Sequence, residues 1–184
     1  RQEFVCVRLS LKLLETMSPY ITHLELDGCW SWEWEEIGKR ISELPYLTGL
    51  KVNRCDSGDI ICSQLSECRN IVDLSILNYQ ADSKIGRISD VGMMHLATGL
   101  HSLTSLNVGT ICEKLGHNNL TSAAAKAIAD SLKLLTKLDI GGNENIKDEG
   151  AIALAEGLPH LKLFDAGSCG ISDVGATSIA VGLR

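Results

Sequence analysis

Aromatic side chains are scarce in this chain: Phe, Trp and Tyr together make up 4% of its 184 residues. A core must therefore be built from Leu, Ile, Val and Ala, which points to thin repetitive layers rather than the ring-filled centre of a compact β-sandwich. No run of about 18 apolar residues occurs, so no membrane span is expected. The opening Arg1-Gln2-Glu3-Phe4-Val5-Cys6-Val7 has no long apolar segment closed by a small-residue cleavage site, and no signal peptide is expected. Cys-x-x-Cys is missing, and the cysteines at positions 6, 29, 55, 62, 68, 112 and 169 are odd in number. Reduced thiols of a cytoplasmic protein fit this better than a disulfide framework. The nearest approach to a zinc set is Cys55, Cys62 and Cys68, but the gaps are atypical and no His stands nearby in sequence. Neither a metal nor a cofactor is expected.

Catalytic signatures are also lacking. There is no Gly-x-x-x-x-Gly-Lys-Ser/Thr loop, no carboxylate pair and no nucleophile elbow. The five histidines, His23, His95, His101, His117 and His160, are scattered, and His101 and His160 hold equivalent turn positions that repetition alone explains. No catalytic residue is assigned, and an enzyme is not expected. A formal net charge of −6 argues against a general role on nucleic-acid phosphates.

What the chain does contain is an internal repeat. Leu24-Glu-Leu26-Asp-Gly-Cys29 reads L-x-L-x-x-C, and Leu50-Lys-Val52-Asn-Arg-Cys55 repeats it. Leu74-Ser-Ile76, Leu106-Asn-Val108, Leu138-Asp-Ile140-Gly-Gly-Asn143 and Phe164-Asp-Ala166-Gly-Ser-Cys169 continue the series. An apolar residue stands three places before each copy: Ile21, Leu47, Ile71, Leu103, Leu135 and Leu161. Alternation of this kind makes a short strand with one apolar face. Between strands, helical spacing recurs as Ala151, Leu154, Ala155 and Leu158, as Met93, Leu96, Ala97 and Leu100, and as Ala125, Ile128, Ala129 and Leu132. A weaker set is Ile37, Ile41 and Leu44. Asp90, Asp148 and Asp173 precede helices, where a carboxylate can accept from first-turn N–H groups. A unit of strand, loop, helix and turn cannot bury both its faces alone, so the copies must stack. The expectation is an α/β solenoid over 1–184, one domain of about six repeats. Because the pattern opens part-way and stops at Gly182-Leu183-Arg184, where earlier repeats run on into a strand, it is expected to be a piece of a larger protein.

The pattern resembles leucine-rich repeats of the ribonuclease-inhibitor type over roughly residues 9 to 184. The wording is close in Ile146 to Leu161 (I-x-D-x-G-A-x-x-L-A-x-G-L-x-x-L) and in Ile171 to Gly175. The resemblance implies a horseshoe with parallel strands on its concave face and α-helices on its convex face. Within that type it resembles the C-terminal repeats of NOD-like innate immune receptors, and this resemblance implies a cytoplasmic, ligand-sensing or autoinhibitory region that binds another protein or another domain of the same chain. Alternatives are a stand-alone inhibitor or adaptor of the ribonuclease-inhibitor kind, and the substrate-recognition repeats of an F-box-type protein. A GTPase activator on the same fold would need an arginine such as Arg54 or Arg87, but no activator motif matches. The oligomeric state is not read from the sequence.

In this family the residue after L-x-L-x-x is Asn or Cys, bonding the backbone as the chain leaves the strand. Cys29, Cys55, Asn143 and Cys169 fit that structural role. Tyr79 and Ile111 break it, with Asn78 and Cys112 one residue off, in two long units carrying extra segments at roughly Asn78–Ser89 and Thr110–Asn119. These are either functional loops or neutral insertions. Alternation turns two columns to the inner surface. One is Glu25, Lys51, Ser75, Asn107, Asp139 and Asp165. The other is Asp27, Asn53, Leu77, Gly109, Gly141 and Gly167, read as a flat glycine-lined stretch offering backbone access. This face is either a binding surface or simply solvated. Trp30, Trp32 and Trp34 fall together just after the first complete strand, with Trp34 near a helix start. They either dock a partner or shield the end of the stack. The partner-binding candidates are therefore Glu25, Asp27, Trp30, Trp32, Lys51, Asn53, Asn107, Asp139 and Asp165.

Overall fold

Short strands with one apolar face need a lateral partner and a cover, and each repeat supplies both. The computed structural model describes residues 4–8, 19–28, 34–54, 58–77, 87–109 and 118–183, the first of these by backbone alone. Its strands are β1 (Phe4–Arg8), β2 (His23–Asp27), β3 (Gly49–Asn53), β4 (Asp73–Leu77), β5 (Ser105–Asn107), β6 (Lys137–Asp139) and β7 (Leu163–Asp165). Its helices are α1 (Trp34–Ser42), α2 (Gly58–Leu65), α3 (Asp90–Gly99), α4 (Ser122–Ser131), α5 (Lys147–Gly157) and α6 (Asp173–Gly182). Among the described residues the strands form one sheet in chain order, each parallel to its neighbour. Parallel neighbours require a crossover, and from β2 onward a helix of the outer layer provides it. The result is the leucine-rich repeat solenoid, with strands inside the curve and helices outside.

The register sets like on like. Leu24, Leu50, Leu74, Leu106, Leu138 and Phe164 stand opposite one another across successive strands. With Leu26, Val52, Ile76, Val108 and Ile140 they form the sheet side of the core, against helix residues such as Ile37, Ile61, Leu96, Ile128 and Leu154. Trp34 opens α1 and is fully buried. At the far end of the helices close approach depends on glycine: a Cβ on Gly99 would run into the carbonyl of Ser66, and one on Gly157 into Ala129. Polar groups at the strand entries are laddered as well. The Thr22 carbonyl accepts the N–H groups of Thr48 and Gly49, and the Thr104 carbonyl those of Thr136 and Lys137.

Three features depart from the sequence pattern. The sheet has a strand before the first L-x-L, because Val5 pairs with Leu24 and Val7 with Leu26; valine in place of leucine hides it. The helix Gly58–Leu65 supplies a cover for which no periodic set stood out. The aspartates also act differently from the expectation. The helices of three units are capped by Ser89, Thr121 and Ser172, whose side chains accept from Val91, Ala123 and Val174. The carboxylates reach across to the next unit instead. Asp59 accepts the Ser89 N–H at 2.8 Å and its hydroxyl at 2.6 Å. Asp90 does the same for Thr121 at 2.8 and 2.7 Å, and Asp148 for Ser172 at 2.7 and 2.6 Å. Stacking presents each carboxylate with a donor pair that its own helix does not offer.

Candidate functional site

The site is built from the centres of the strands, where every second side chain turns away from the core. Glu25, Lys51, Ser75, Asn107, Asp139 and Asp165 stand in one continuous register across β2 to β7. Two open depressions lie along this face. One, of ≈ 180 Å³, is lined by residues including His23, Glu25, Lys51 and Ser75. The other, of ≈ 350 Å³, is lined by residues including Asn107, Lys137, Asp139 and Asp165.

The two ends of the face differ in how their charges are met. Toward β2 and β3 the protein matches its own. Lys51 Nζ lies 3.1 Å from Glu25 Oε1, and Asn53 Nδ2 donates to the same oxygen at 2.7 Å. Arg54 Nε donates to Asp27 Oδ1 at 2.6 Å, and its Nη2 bonds Asp27 Oδ2. Arg54, the arginine a GTPase-activator reading would need, is thus engaged with Asp27. Asn53 is only 6% exposed. This partner-binding candidate is thus nearly buried, since the parallel register tucks it beside the Glu25 carboxylate.

Toward β5, β6 and β7 a repeated turn shapes the surface. The side-chain oxygens of Asn107, Asp139 and Asp165 accept the N–H groups of Gly109, Gly141 and Gly167 at 3.1, 3.0 and 2.9 Å. This folds the carboxylates down over the glycines: a Cβ on Gly109 would collide with Asp139 Oδ1, and one on Gly141 would sit 3.3 Å from it. Gly109 and Gly141 are buried. Gly109 and Gly141 are therefore a floor beneath the aspartates and not an exposed backbone offered to a ligand, whereas Gly167 at the end of the stretch is exposed. Desolvation by partial burial pushes the Asp139 carboxyl above its ordinary value; the Gly141 N–H opposes that rise and the neighbouring Asp165 charge adds to it.

Behind this face the turning residues bond buried backbone groups. Asn143 donates from Nδ2 to the Ile140 carbonyl at 2.7 Å and accepts the Leu120 N–H at 3.3 Å. The Cys169 thiol donates to the Ile140 carbonyl at 3.1 Å, and burial pushes that thiol up, away from the thiolate a nucleophile needs. Cys68 is held similarly, pushed up to about 12 by burial and then by the Glu67 charge. One residue absent from the expected set does the same work as Asn143. Asn118 donates to the Val108 carbonyl at 2.7 Å and accepts the Ile88 N–H at 2.9 Å. It stands at the end of the long segment after β5, so the fixed L-x-L-x-x-N spacing missed it.

Cys29, Cys55, Trp30 and Trp32 lie outside the described residues, as do Tyr79, Ile111 and nearly all of the two extra segments. A second feature the sequence reading passed over is an exposed aromatic pair. Tyr20 and Tyr46 stack with ring centroids 5.8 Å apart, and the repeated phrase Pro19-Tyr20-Ile21-Thr22 and Pro45-Tyr46-Leu47-Thr48 was its signal. Among the described residues no group of three or more His, Cys, Asp or Glu side chains converges as a metal site would require. No helix among them is long and apolar enough to cross a membrane.

A family model described as Leucine Rich repeat matches residues 131–155 and 157–180. No curated protein matches the chain. Among solved structures, the tropomodulin C-terminal domain of Caenorhabditis elegans is similar over 94% of this chain and 88% of that one, at 13% identity and a TM-score of 0.50. A chain of the yeast Rad7 and Elc1 complex overlaps 94% of this chain and 57% of its own length, at 14% identity and a TM-score of 0.46. At such identities the likeness concerns the fold. That of the tropomodulin domain agrees with the strand and helix order already described.

Proposed function

We propose that this leucine-rich repeat domain is a protein-interaction module that receives its partner on the C-terminal half of the concave sheet. The observation that carries the reading is the unequal matching of charge along one face. At β2 and β3 the acids Glu25 and Asp27 are met by Lys51 and Arg54. At β6 and β7 the adjacent Asp139 and Asp165 line an open depression with Lys137, and half-burial disfavours the charged form of Asp139. A guanidinium or ammonium brought by a partner relieves that repulsion, and a solenoid presents it with a continuous curved surface.

At a finer level the domain is proposed as the ligand-sensing or autoinhibitory region of a cytoplasmic NOD-like innate immune receptor, its partner another protein or another domain of the same chain. The support is the wording of Ile146 to Leu161, together with free buried thiols at Cys62, Cys68 and Cys169 that suit a reducing compartment. A stand-alone inhibitor or adaptor of the ribonuclease-inhibitor kind uses the same face. The residues preceding Arg1 in the gene separate the readings: a nucleotide-binding module favours the receptor, a bare start the stand-alone protein, and an F-box the substrate-recognition repeats of an F-box-type protein.

Affinity capture from cytosolic extract, quantified by mass spectrometry, compares the wild type with Asp139→Lys/Asp165→Lys. Circular dichroism checks that both are folded. Reversal of contacted charges is expected to lower partner recovery by about tenfold or more. Recovery of the same partners in equal amount by the double variant excludes this half of the face. Trp32→Ala in parallel reports on the tryptophan cluster.

A further inference from the structure

At β2 and β3 the charges of the concave face are matched between neighbouring strands. Lys51 stands directly opposite Glu25 in the parallel register and lies 3.1 Å from it. Arg54, just past β3, reaches back to Asp27 in the preceding unit. Neither arrangement is repeated at β6 and β7. Lys137 opens β6 with Ser105 on one side and Leu163 on the other, and neither is an acid. Asp139 has Asn107 and Asp165 beside it, and neither is a base. The place of Arg54 is taken there by Gly142 and Ser168. Among the described residues none of Lys137, Asp139 and Asp165 forms an ion pair.

Two opposite poles therefore remain on the one depression of ≈ 350 Å³. A lone anion or a lone cation would answer one pole and leave the other unmatched. Lys137 and Asp139 are two residues apart on β6, which sets their Cα atoms about 6–7 Å apart along the strand. Two residues of an extended chain span the same distance and turn both side chains to one face. Beside the basic pole Leu163 is 61% exposed, a surface on which the methylene groups of an acidic side chain can rest.

We infer that this depression receives an extended segment of a partner protein in which an acidic residue and an arginine or lysine stand two positions apart. The acid lies on Lys137 and the base on Asp139 and Asp165. This rests on the interaction surface proposed above and adds to it the charge pattern of the partner. The chain's own Lys137-Leu138-Asp139 has the pattern too, but it lies inside the curve, where the same face of a second copy cannot reach it.

The test uses the purified 184-residue protein as bait for random peptides displayed on phage, selected at low salt. Lys137→Gln and Asp139→Asn/Asp165→Asn are selected in parallel, once circular dichroism shows them folded. The wild type is expected to enrich peptides with an acid and a base two positions apart, in either order. Lys137→Gln should keep the base and lose the acid, and the double variant should do the reverse. A synthetic peptide of the enriched sequence is expected to bind Lys137→Gln about fivefold or more weakly than the wild type in fluorescence anisotropy. Neutralising the acid of that peptide should then cause no further loss. Peptides that carry a base alone and bind Lys137→Gln as well as the wild type would overturn the charge pattern and leave the acidic half of the face as the interaction surface. Equal enrichment of the same peptides by all three proteins would count against both. No enrichment, or a wild type that sediments as a dimer dispersed by Asp139→Lys, would also overturn the inference.

Discussion

At the scale of single residues, the frame depends on side chains that bond two backbone groups at once where the chain leaves the sheet. Asn118 and Asn143 each offer a donor and an acceptor to buried main-chain groups, whereas Cys169 contributes its thiol donor. A stranded buried group costs about 1–3 kcal/mol. Asn118→Ala strands both the Ile88 N–H and the Val108 carbonyl, so urea unfolding is expected to show a loss of at least about 2 kcal/mol. The neighbouring Asn119 has an exposed side chain, and Asn119→Ala is expected to stay within about 0.5 kcal/mol of the wild type. Similar losses for the two variants would mean that the segment, rather than the Asn118 amide, closes the turn. The position just before each turning residue has its own demand. Gly28, Arg54, Gly142 and Ser168 all have positive φ there, a conformation that glycine adopts freely and Arg54 and Ser168 adopt under strain.

Among elements, the link from each helix to the next is electrostatic as well as apolar. The hydroxyl and N–H of Ser172, with the N–H of Gly175, hold the Asp148 carboxyl below its ordinary value. A carboxylate whose folded value is depressed stabilises the fold above the ordinary carboxylate range. That contribution is lost as the pH falls through the folded value. The wild type is therefore expected to melt a few degrees above Asp148→Asn at pH 7, and the gap should close as the pH is lowered through and below the ordinary carboxylate range. A gap independent of pH would show that shape alone, without charge, makes this junction. The ladder is not uniform, because Ser122 and Lys147 interrupt it between α4 and α5. There the contact is completed by packing, as Gly150 lies close to Ala125 and Ser122.

For the molecule as a whole, stability should be highest in the middle of the stack and fall toward a uncovered face. Leu106, on β5, is 1% exposed and lies between two covered junctions. Phe164, its equivalent on β7, has a neighbour on one side among the described residues. Removing a fully buried leucine side chain costs about 2–5 kcal/mol. Leu106→Ala is expected to reach that range in urea unfolding, and Phe164→Ala to cost less than half as much despite the larger side chain removed. Equal costs would mean that the outer face of β7 is covered in solution. The same one-dimensional build explains the candidate interaction surface. No single strand makes it, and it exists because parallel register places Asn107, Asp139 and Asp165 side by side.

What the amino-acid order determined by itself was most of what has a local period. The L-x-L alternation set the strands and their buried faces, the i, i+3, i+4, i+7 sets marked most of the helices, and the inner column from Glu25 to Asp165 followed from alternation alone. Only the stacked structure decided the pairings across units. Asp148 could be read locally as capping its own helix, because nothing within a few residues of it reveals that Ser172 will stand at 2.6 Å. The burial of Asn53 against Glu25 was equally hidden, and so was the covering of Gly109 by the Asp139 carboxylate. Asn118 escaped because a longer segment displaced it from the fixed spacing, while the backbone groups it had to satisfy did not move. The physical reason is common to all of these. Periodicity reports which face of an element is apolar, but a polar side chain takes the partner that packing brings to it, here from a unit some two dozen or more residues away.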